Sequence, residues 1–292
     1  MVKKETLRAY LTLAKPGILK MVLVTTFLGF YLAQGSLISN LDQLFFALLG
    51  TALTCGGSGV LNHYLERDID CKMIRTANRP IPMGVVAPND ALAFGISLVL
   101  LGTFVLAYQV NLITGFLALL TAFLYVLVYT PLKRVTWWNT FIGAIPGALP
   151  PVGGWTAVTG EIELGAVVLF LILFIWQHPH FYAIAWMYRD DYAKGGLKML
   201  PVLDPDGSRT CKQIMIYSLI LIPVSLLPKL IGMSGWLYFW GALGLGLFML
   251  YFGTLVVRHR DFRSARNLMR ASIVYLPLVL VLICVDSIIF LS

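Results

Sequence analysis

The sequence predicts an all-α integral membrane protein with nine transmembrane helices, its N-terminus in the cytoplasm and its C-terminus on the outer side. Three observations carry this reading. Of 292 residues, 59% are hydrophobic and 12% charged, and the mean hydropathy is +0.82, which excludes a water-soluble globule. Nine stretches reach about 18 apolar residues, the length a helix needs to cross a bilayer: 17–34, 43–65, 91–110, 112–130, 138–157, 164–187, 213–232, 235–257 and 271–291. Cations then alternate as the positive-inside rule requires. The N-terminal stretch and the loops after spans two, four, six and eight hold 5, 4, 2, 5 and 5 Lys or Arg, 21 of the 22 in the chain. Only Lys229 falls outside this pattern.

The same alternation explains the net charge of +8, so no nucleic-acid partner is implied. Residues 1–292 read as one membrane-embedded domain. Lys3, Lys4, Arg8, Lys15 and Lys20 fall in the first twenty residues, at the head of a long first span that lacks a small-residue cleavage site, so no cleaved signal is expected. The second span carries Cys55-Gly56-Gly57-Ser58-Gly59, which lacks the Gly-Lys-Ser/Thr of a phosphate loop and reads as close helix packing. Gly143 and Gly147 in the fifth span read the same way. The outer loops are short, with Asp42, Glu161 and Glu163 as their acids. The last three spans read mainly as helices, and Arg258 through Arg270 as a solvated, lipid-facing loop. Cys55, Cys71, Cys211 and Cys284 are scattered, so neither a disulfide framework nor a CxxC metal site is expected.

Polar residues collect in two cytoplasmic loops, about 66–90 and 188–212. At the end of the second span, Asn62, Glu66 and Asp70 recur every four residues. Such residues share one helical face, so an amide and two carboxylates form a stripe about 12 Å long at 1.5 Å per residue. Carboxylates at membrane depth are costly and mark function. Lys72, Arg75 and Arg79 follow them. In the other loop Asp190 and Asp191 precede Lys194 and Lys198. Acids that hold Mg²⁺, with Lys and Arg on phosphate oxygens, suit ionisation of an allylic diphosphate. Asp68 lies on roughly the opposite helical face from Glu66 and Asp70 and takes a supporting role.

The text Asn62-His63-Tyr64-Leu65-Glu66-Arg67-Asp68-Ile69-Asp70, through Met73, Arg75-Thr76 and Arg79-Pro80, resembles the first signature of the UbiA superfamily of intramembrane prenyltransferases. Tyr129-Thr130-Pro131-Leu132-Lys133-Arg134 with Gly147-Ala148-x-Pro150-Pro151, and Trp176-Gln177-x-Pro179-His180-Phe181 leading to Asp190-Asp191-Tyr192, are similar to its heme O synthase branch. The likeness covers most of residues 15 to 205. Two departures stand out: Glu66 where Asp is usual, and adjacent Asp190 and Asp191 where the superfamily spaces two acids by four. The heme-directed branch shares the Asp-Asp-Tyr form.

The resemblance implies a nine-helix bundle in a bacterial inner membrane, its active site toward the cytoplasm. It implies two Mg²⁺, one on Asn62, Glu66 and Asp70 and one on Asp190 and Asp191. Arg75, Arg79, Tyr129, Lys133 and Lys194 would contact diphosphate. His180, and more weakly Trp176 and His63, would contact heme. The implied reaction moves a farnesyl group from farnesyl diphosphate to a vinyl group of protoheme IX. Heme is then substrate, membrane lipid surrounds the chain, and a downstream heme-modifying enzyme or terminal oxidase would be a partner. Three other readings stay open: a quinone-type aromatic acceptor, a transporter, and a non-catalytic heme chaperone. A transporter would place its acids near the bilayer midplane, whereas these gather at one face.

Overall fold

A computed structural model describes residues 2–35 and 40–291, and among these every regular element is helical. In chain order they are α1 (Val2–Leu13), α2 (Pro16–Gln34), α3 (Leu41–Asp70), α4 (Pro88–Gln109) and α5 (Leu112–Phe123). A π-helical turn, Leu124–Tyr129, joins α5 to α6 (Thr130–Val135). Next come α7 (Asn139–Ala148), α8 (Pro150–Thr159), α9 (Leu164–Met187), α10 (Arg189–Lys194) and α11 (Leu200–Leu203). The chain closes with α12 (Ser208–Leu230), α13 (Trp236–His259) and α14 (Phe262–Leu291).

Among the described residues, eight helical segments are long and apolar enough to cross a membrane, where the sequence predicts nine. The difference lies at 138–157, which forms the two ten-residue helices α7 and α8. Pro146, Pro150 and Pro151 bring no N–H to the helical ladder there. The chain is interrupted rather than turned, because Leu149 between the two helices keeps helical angles, φ −73° and ψ −28°. Arg258–Arg270 also differs from expectation. Most of it is helix, because Asp261 caps α14: its carboxylate accepts from the Ser264 backbone N–H at 2.8 Å. Only Arg260 and Asp261 remain between α13 and α14.

Glycines set the closest helix contacts, as the sequence leads one to expect. On α3 and α4, Gly50 faces Gly102 and Gly57 faces Gly95. A Cβ on Gly102 would lie 2.6 Å from the Gly50 carbonyl oxygen, and one on Gly57 2.7 Å from that of Gly95. Gly147 of α7 leaves room for Gln177 of α9 in the same way. Helix α2 lies on α3 and α8, while α9, α12, α13 and α14 pack together. Their shared core includes Ile172, Tyr182, Ile214, Leu221, Met249 and Tyr275. All four cysteines are free.

Buried polar contacts fasten α12, α13 and α14 to one another. Asp286 of α14 accepts from the Tyr238 backbone N–H at 3.1 Å, satisfying a donor in the first turn of α13. The Tyr238 hydroxyl donates to the Ser225 carbonyl at 2.7 Å, and Ser225 hydrogen-bonds Tyr275. An acid in an apolar helix thus serves capping here. Replacing it, Asp286→Ala, is expected to lower stability by about 1–2 kcal/mol. Thermal unfolding in detergent checks this, with Asp286→Asn nearer the parent protein.

Candidate active site

The stripe on α3 remains helical to its end and is buried, with Asn62 and Asp70 at 0% exposure and Glu66 at 5%. Buried carboxylates need partners, and each has one from elsewhere in the chain. Lys133 Nζ donates to Glu66 Oε1 at 2.7 Å. Arg79 Nη1 donates to both Asp70 oxygens, at 2.8 and 2.7 Å, and stands 3.9 Å from Glu66 Oε2. Three sequence-predicted residues of the carboxylate stripe and two of its predicted cations therefore meet in one cluster.

The π-helical turn supplies the third wall. Such turns put an extra residue into a helix and recur at functional sites. Tyr125 and Tyr129 stack here with ring centroids 5.7 Å apart, and Lys133 Nζ lies 4.5 Å from the centre of the Tyr129 ring. Thr130 follows. Its hydroxyl donates to the Tyr125 carbonyl at 2.8 Å and accepts from Asn62 Nδ2 at 2.8 Å. With its nitrogen so engaged, the Asn62 amide turns its oxygen into the cluster. There Lys15 Nζ donates to Asn62 Oδ1 at 2.5 Å and to the Tyr125 hydroxyl at 3.1 Å. Burial pushes the Lys15 ammonium down to about 7, and the Glu66 carboxylate opposes that fall.

Lys15, Tyr125 and Thr130 are site residues that sequence reasoning misses. Lys15 is absorbed there into the topological count, although a Lys directly before Pro16 marks a chain corner at the membrane face. Thr130 stands in plain view inside the Tyr129–Lys133 motif. Nothing in the pattern of apolar residues signals the π-turn.

The other candidates sit differently. Asp191 is a clasp: its oxygens accept the backbone N–H groups of Ile74 at 2.8 Å and Arg75 at 3.2 Å. Ile69 and Met73 also pack against Ala185, Leu197 and Met199, so the two loops meet. Asp190 does not join the cluster; its side chain is 94% exposed beside Arg189. Arg75 lies over the rings of Tyr188 and Tyr192, at 5.3 and 5.7 Å, rather than on the carboxylates. Lys194 is exposed. Asp68 stays outside the cluster, in a surface pair with Arg134 at 2.7 Å.

The heme-directed candidates do not form one group. His180 Nδ1 lies 2.6 Å from the Ser272 hydroxyl, Trp176 stacks on it, and the Trp176 indole donates to the Ser272 carbonyl at 2.9 Å. His63 is buried beside Asn62, with no hydrogen-bond partner for its Nδ1 among the described residues. His178 stacks on Tyr217 with ring centroids 3.7 Å apart, and its Nε2 has no partner among the described residues.

As a donor set, Asn62 Oδ1 with Glu66 and Asp70 gives hard oxygens, the kind Mg²⁺ accepts together with water and phosphate. Among the described residues no three His, Cys, Asp or Glu side chains gather for a metal, so the fit depends on the amide. Asp190 and Asp191 do not fit a second ion, since one faces solvent and the other is held by backbone N–H groups. Thr130→Val would let the Asn62 amide rotate. It is expected to weaken Mn²⁺ binding about tenfold, as read by electron paramagnetic resonance titration in nanodiscs, with little change in unfolding temperature.

Comparison with known proteins bears on this geometry. The UbiA prenyltransferase family profile matches residues 22–276. The chain is 46% identical over 288 residues to the protoheme IX farnesyltransferase of Solibacter usitatus, covering 96% of this chain and 99% of that one. It is 47% identical over 279 residues to the protoheme IX farnesyltransferase of Salinibacter ruber, covering 95% and 98%. The fold resembles the solved structure of a digeranylgeranylglyceryl phosphate synthase, with TM-score 0.82 at 19% identity over 97% of this chain and 99% of that one. It also resembles a UbiA homologue from Archaeoglobus fulgidus bound to DMAPP and Mg²⁺, with TM-score 0.69 at 17% identity over 94% and 98%. With a family match over most of its length and relatives this similar end to end, the chain belongs to the UbiA prenyltransferase family.

Proposed function

We propose that this protein transfers the farnesyl group of farnesyl diphosphate to a vinyl group of protoheme IX, giving heme O and diphosphate. The names of its two relatives at 46% and 47% identity support the choice of substrates. The observation that carries the chemistry is the buried Asn62–Glu66–Asp70 stripe, enclosed by Lys133 and Arg79 at one end of the helical bundle.

In this reading Asn62, Glu66 and Asp70 hold Mg²⁺, which when bound neutralises charge on the departing diphosphate. Lys133 and Arg79 exchange carboxylate oxygens for phosphate oxygens as the substrate arrives, and so stabilise the same charge. The C1–O bond of the farnesyl chain breaks, and its electron pair leaves with the diphosphate. The faces of Tyr125 and Tyr129 border the allylic cation. The vinyl π electrons close the new C–C bond at C1. Water adds to the resulting cation and loses a proton, which leaves the hydroxyl of a hydroxyethylfarnesyl side chain. His180, Trp176 and His63 are the candidates for heme contact, and Arg75 and Lys194 for meeting the diphosphate at the mouth of the site. Asp191 positions the loop that bears Arg75. The expected pair of ions narrows to one held by this chain in the arrangement described.

The relation to the membrane belongs to the same proposal. The broken α7–α8 pair makes the ninth crossing, the N-terminus lies in the cytoplasm, and the carboxylate end of α3 faces it. A bacterial inner membrane would hold the whole chain as one domain. A downstream heme-modifying enzyme or terminal oxidase would take the product.

Nanodisc-embedded protein supplied with farnesyl diphosphate, Mg²⁺ and reduced heme is expected to form heme O, identified by mass spectrometry. Glu66→Ala with Asp70→Ala should cut the rate at least about a hundredfold, and chelation of Mg²⁺ should abolish turnover. Prenylation of an aromatic acid with heme left unmodified would replace the proposed acceptor. Full activity in the double variant would remove the carboxylates from the chemistry.

A further inference from the structure

Lys15 does not behave as a lysine placed only for topology. A cation serving the positive-inside rule can lie in water at any register, yet Lys15 is turned inward to the active-site cluster. Its backbone is left-handed, φ 53° and ψ 63°, a region that residues with side chains avoid. The position before a proline favours extended backbone besides, and Pro16 follows. The only other non-glycine residue with positive φ among those described is Arg260.

The glycine run of α3 accounts for the fit of this corner. A Cβ on Gly59 would lie 3.2 Å from the Leu13 carbonyl oxygen, and one on Gly56 3.6 Å from the Ala14 Cβ. Gly59 lets the Ala14–Lys15 corner settle against α3 next to Asn62, while at Gly56 the corner comes only to ordinary contact distance. The run that resembles a phosphate loop is therefore the seat of a lysine.

The partners of Lys15 are unlike those of the neighbouring cations. Lys133 and Arg79 each hold a carboxylate. Among the described residues, Lys15 donates to the amide oxygen of Asn62 and the hydroxyl of Tyr125, both neutral. Three half-buried basic groups thus face two buried carboxylates, and whenever Lys15 is protonated the excess positive charge calls for an anion. The amide oxygen that Lys15 holds is also the one assigned above to Mg²⁺, so loading the ion frees the ammonium.

We propose that Lys15 is a third cationic ligand of the prenyl donor's diphosphate, exchanging Asn62 Oδ1 for a phosphate oxygen when the site is loaded. This rests on the diphosphate chemistry proposed for the same cluster. Together the three cations would surround the leaving group from separate elements: Lys15 from the α1–α2 corner, Lys133 from α6 and Arg79 from the loop after α3.

The test is isothermal titration of inorganic pyrophosphate into the nanodisc-embedded full chain with Mg²⁺, paired with Mn²⁺ titration without pyrophosphate. Lys15→Met keeps the unbranched stem and loses the charge. It is expected to weaken pyrophosphate binding about tenfold, the worth of one charge-assisted hydrogen bond. It should also raise KM for farnesyl diphosphate without raising KM for heme. Mn²⁺ affinity alone should hold or increase, and Lys15→Arg should recover most of the pyrophosphate affinity. Equal pyrophosphate binding by Lys15→Met and the parent protein would overturn the proposal. So would an equal loss of Mn²⁺ affinity, which would make Lys15 only a support for Asn62. If Lys15→Met does not fold, Lys15→Arg decides: affinity lost despite the retained charge counts against a phosphate contact. Failure of the parent protein to bind pyrophosphate at all would instead overturn the underlying reading, and this proposal with it.

Discussion

Two carboxylates buried at the end of an apolar helix can persist only if cations from other parts of the chain reach them. The Glu66–Lys133 pair at 2.7 Å and the Asp70–Arg79 pair at 2.7 Å meet that requirement, and the layout of this end of the protein follows from them. Removing one member of such a pair leaves a charge buried without compensation, which costs far more than the pair itself contributes. The segment after α5 must therefore return to α3, and the loop after α3 must fold back over it. The Asp191 clasp on Ile74 and Arg75 and the hydrogen bond from Lys198 N–H to the Lys133 carbonyl at 2.7 Å hold both in place.

That arrangement is costly unless the charges have other work. An apolar cluster of similar shape would be at least as stable, so holding acids and bases here indicates a ligand able to exchange with them. A diphosphate with a divalent ion is such a ligand, because the ion takes the oxygens and the phosphates take the cations. Resting pairs and loaded contacts then use the same side chains. The glycine seam between α3 and α4, with Gly50 opposite Gly102 and Gly57 opposite Gly95, gives the rigidity that such an exchange needs from its scaffold.

Much of this is legible in the sequence, for physical reasons. Apolar length reveals most of the crossings, and the four-residue spacing of Asn62, Glu66 and Asp70 survives as a buried face because α3 stays helical to Asp70. Other features depend on tertiary contact and leave no periodic trace. The proline-broken α7–α8 pair satisfies an apolar window as well as a single helix does. Asp191 reads as a ligand by type, but two backbone N–H groups occupy its oxygens. Asp190 shares its composition and not its burial. Lys15 is hidden because charge counting treats every cation near a membrane face alike, while a left-handed corner and the close approach at Gly59 on another helix decide where this one goes.

The central claim is that Glu66 and its neighbours carry a divalent ion in direct contact with the phosphates of the prenyl donor. ³¹P electron-nuclear double resonance on Mn²⁺-loaded protein with a non-hydrolysable farnesyl diphosphate analogue reads that contact directly. A strong phosphorus coupling in the parent protein, lost in Glu66→Gln with the helical circular dichroism unchanged, is the predicted result. An equal coupling in both proteins would place the ion elsewhere and contradict the account.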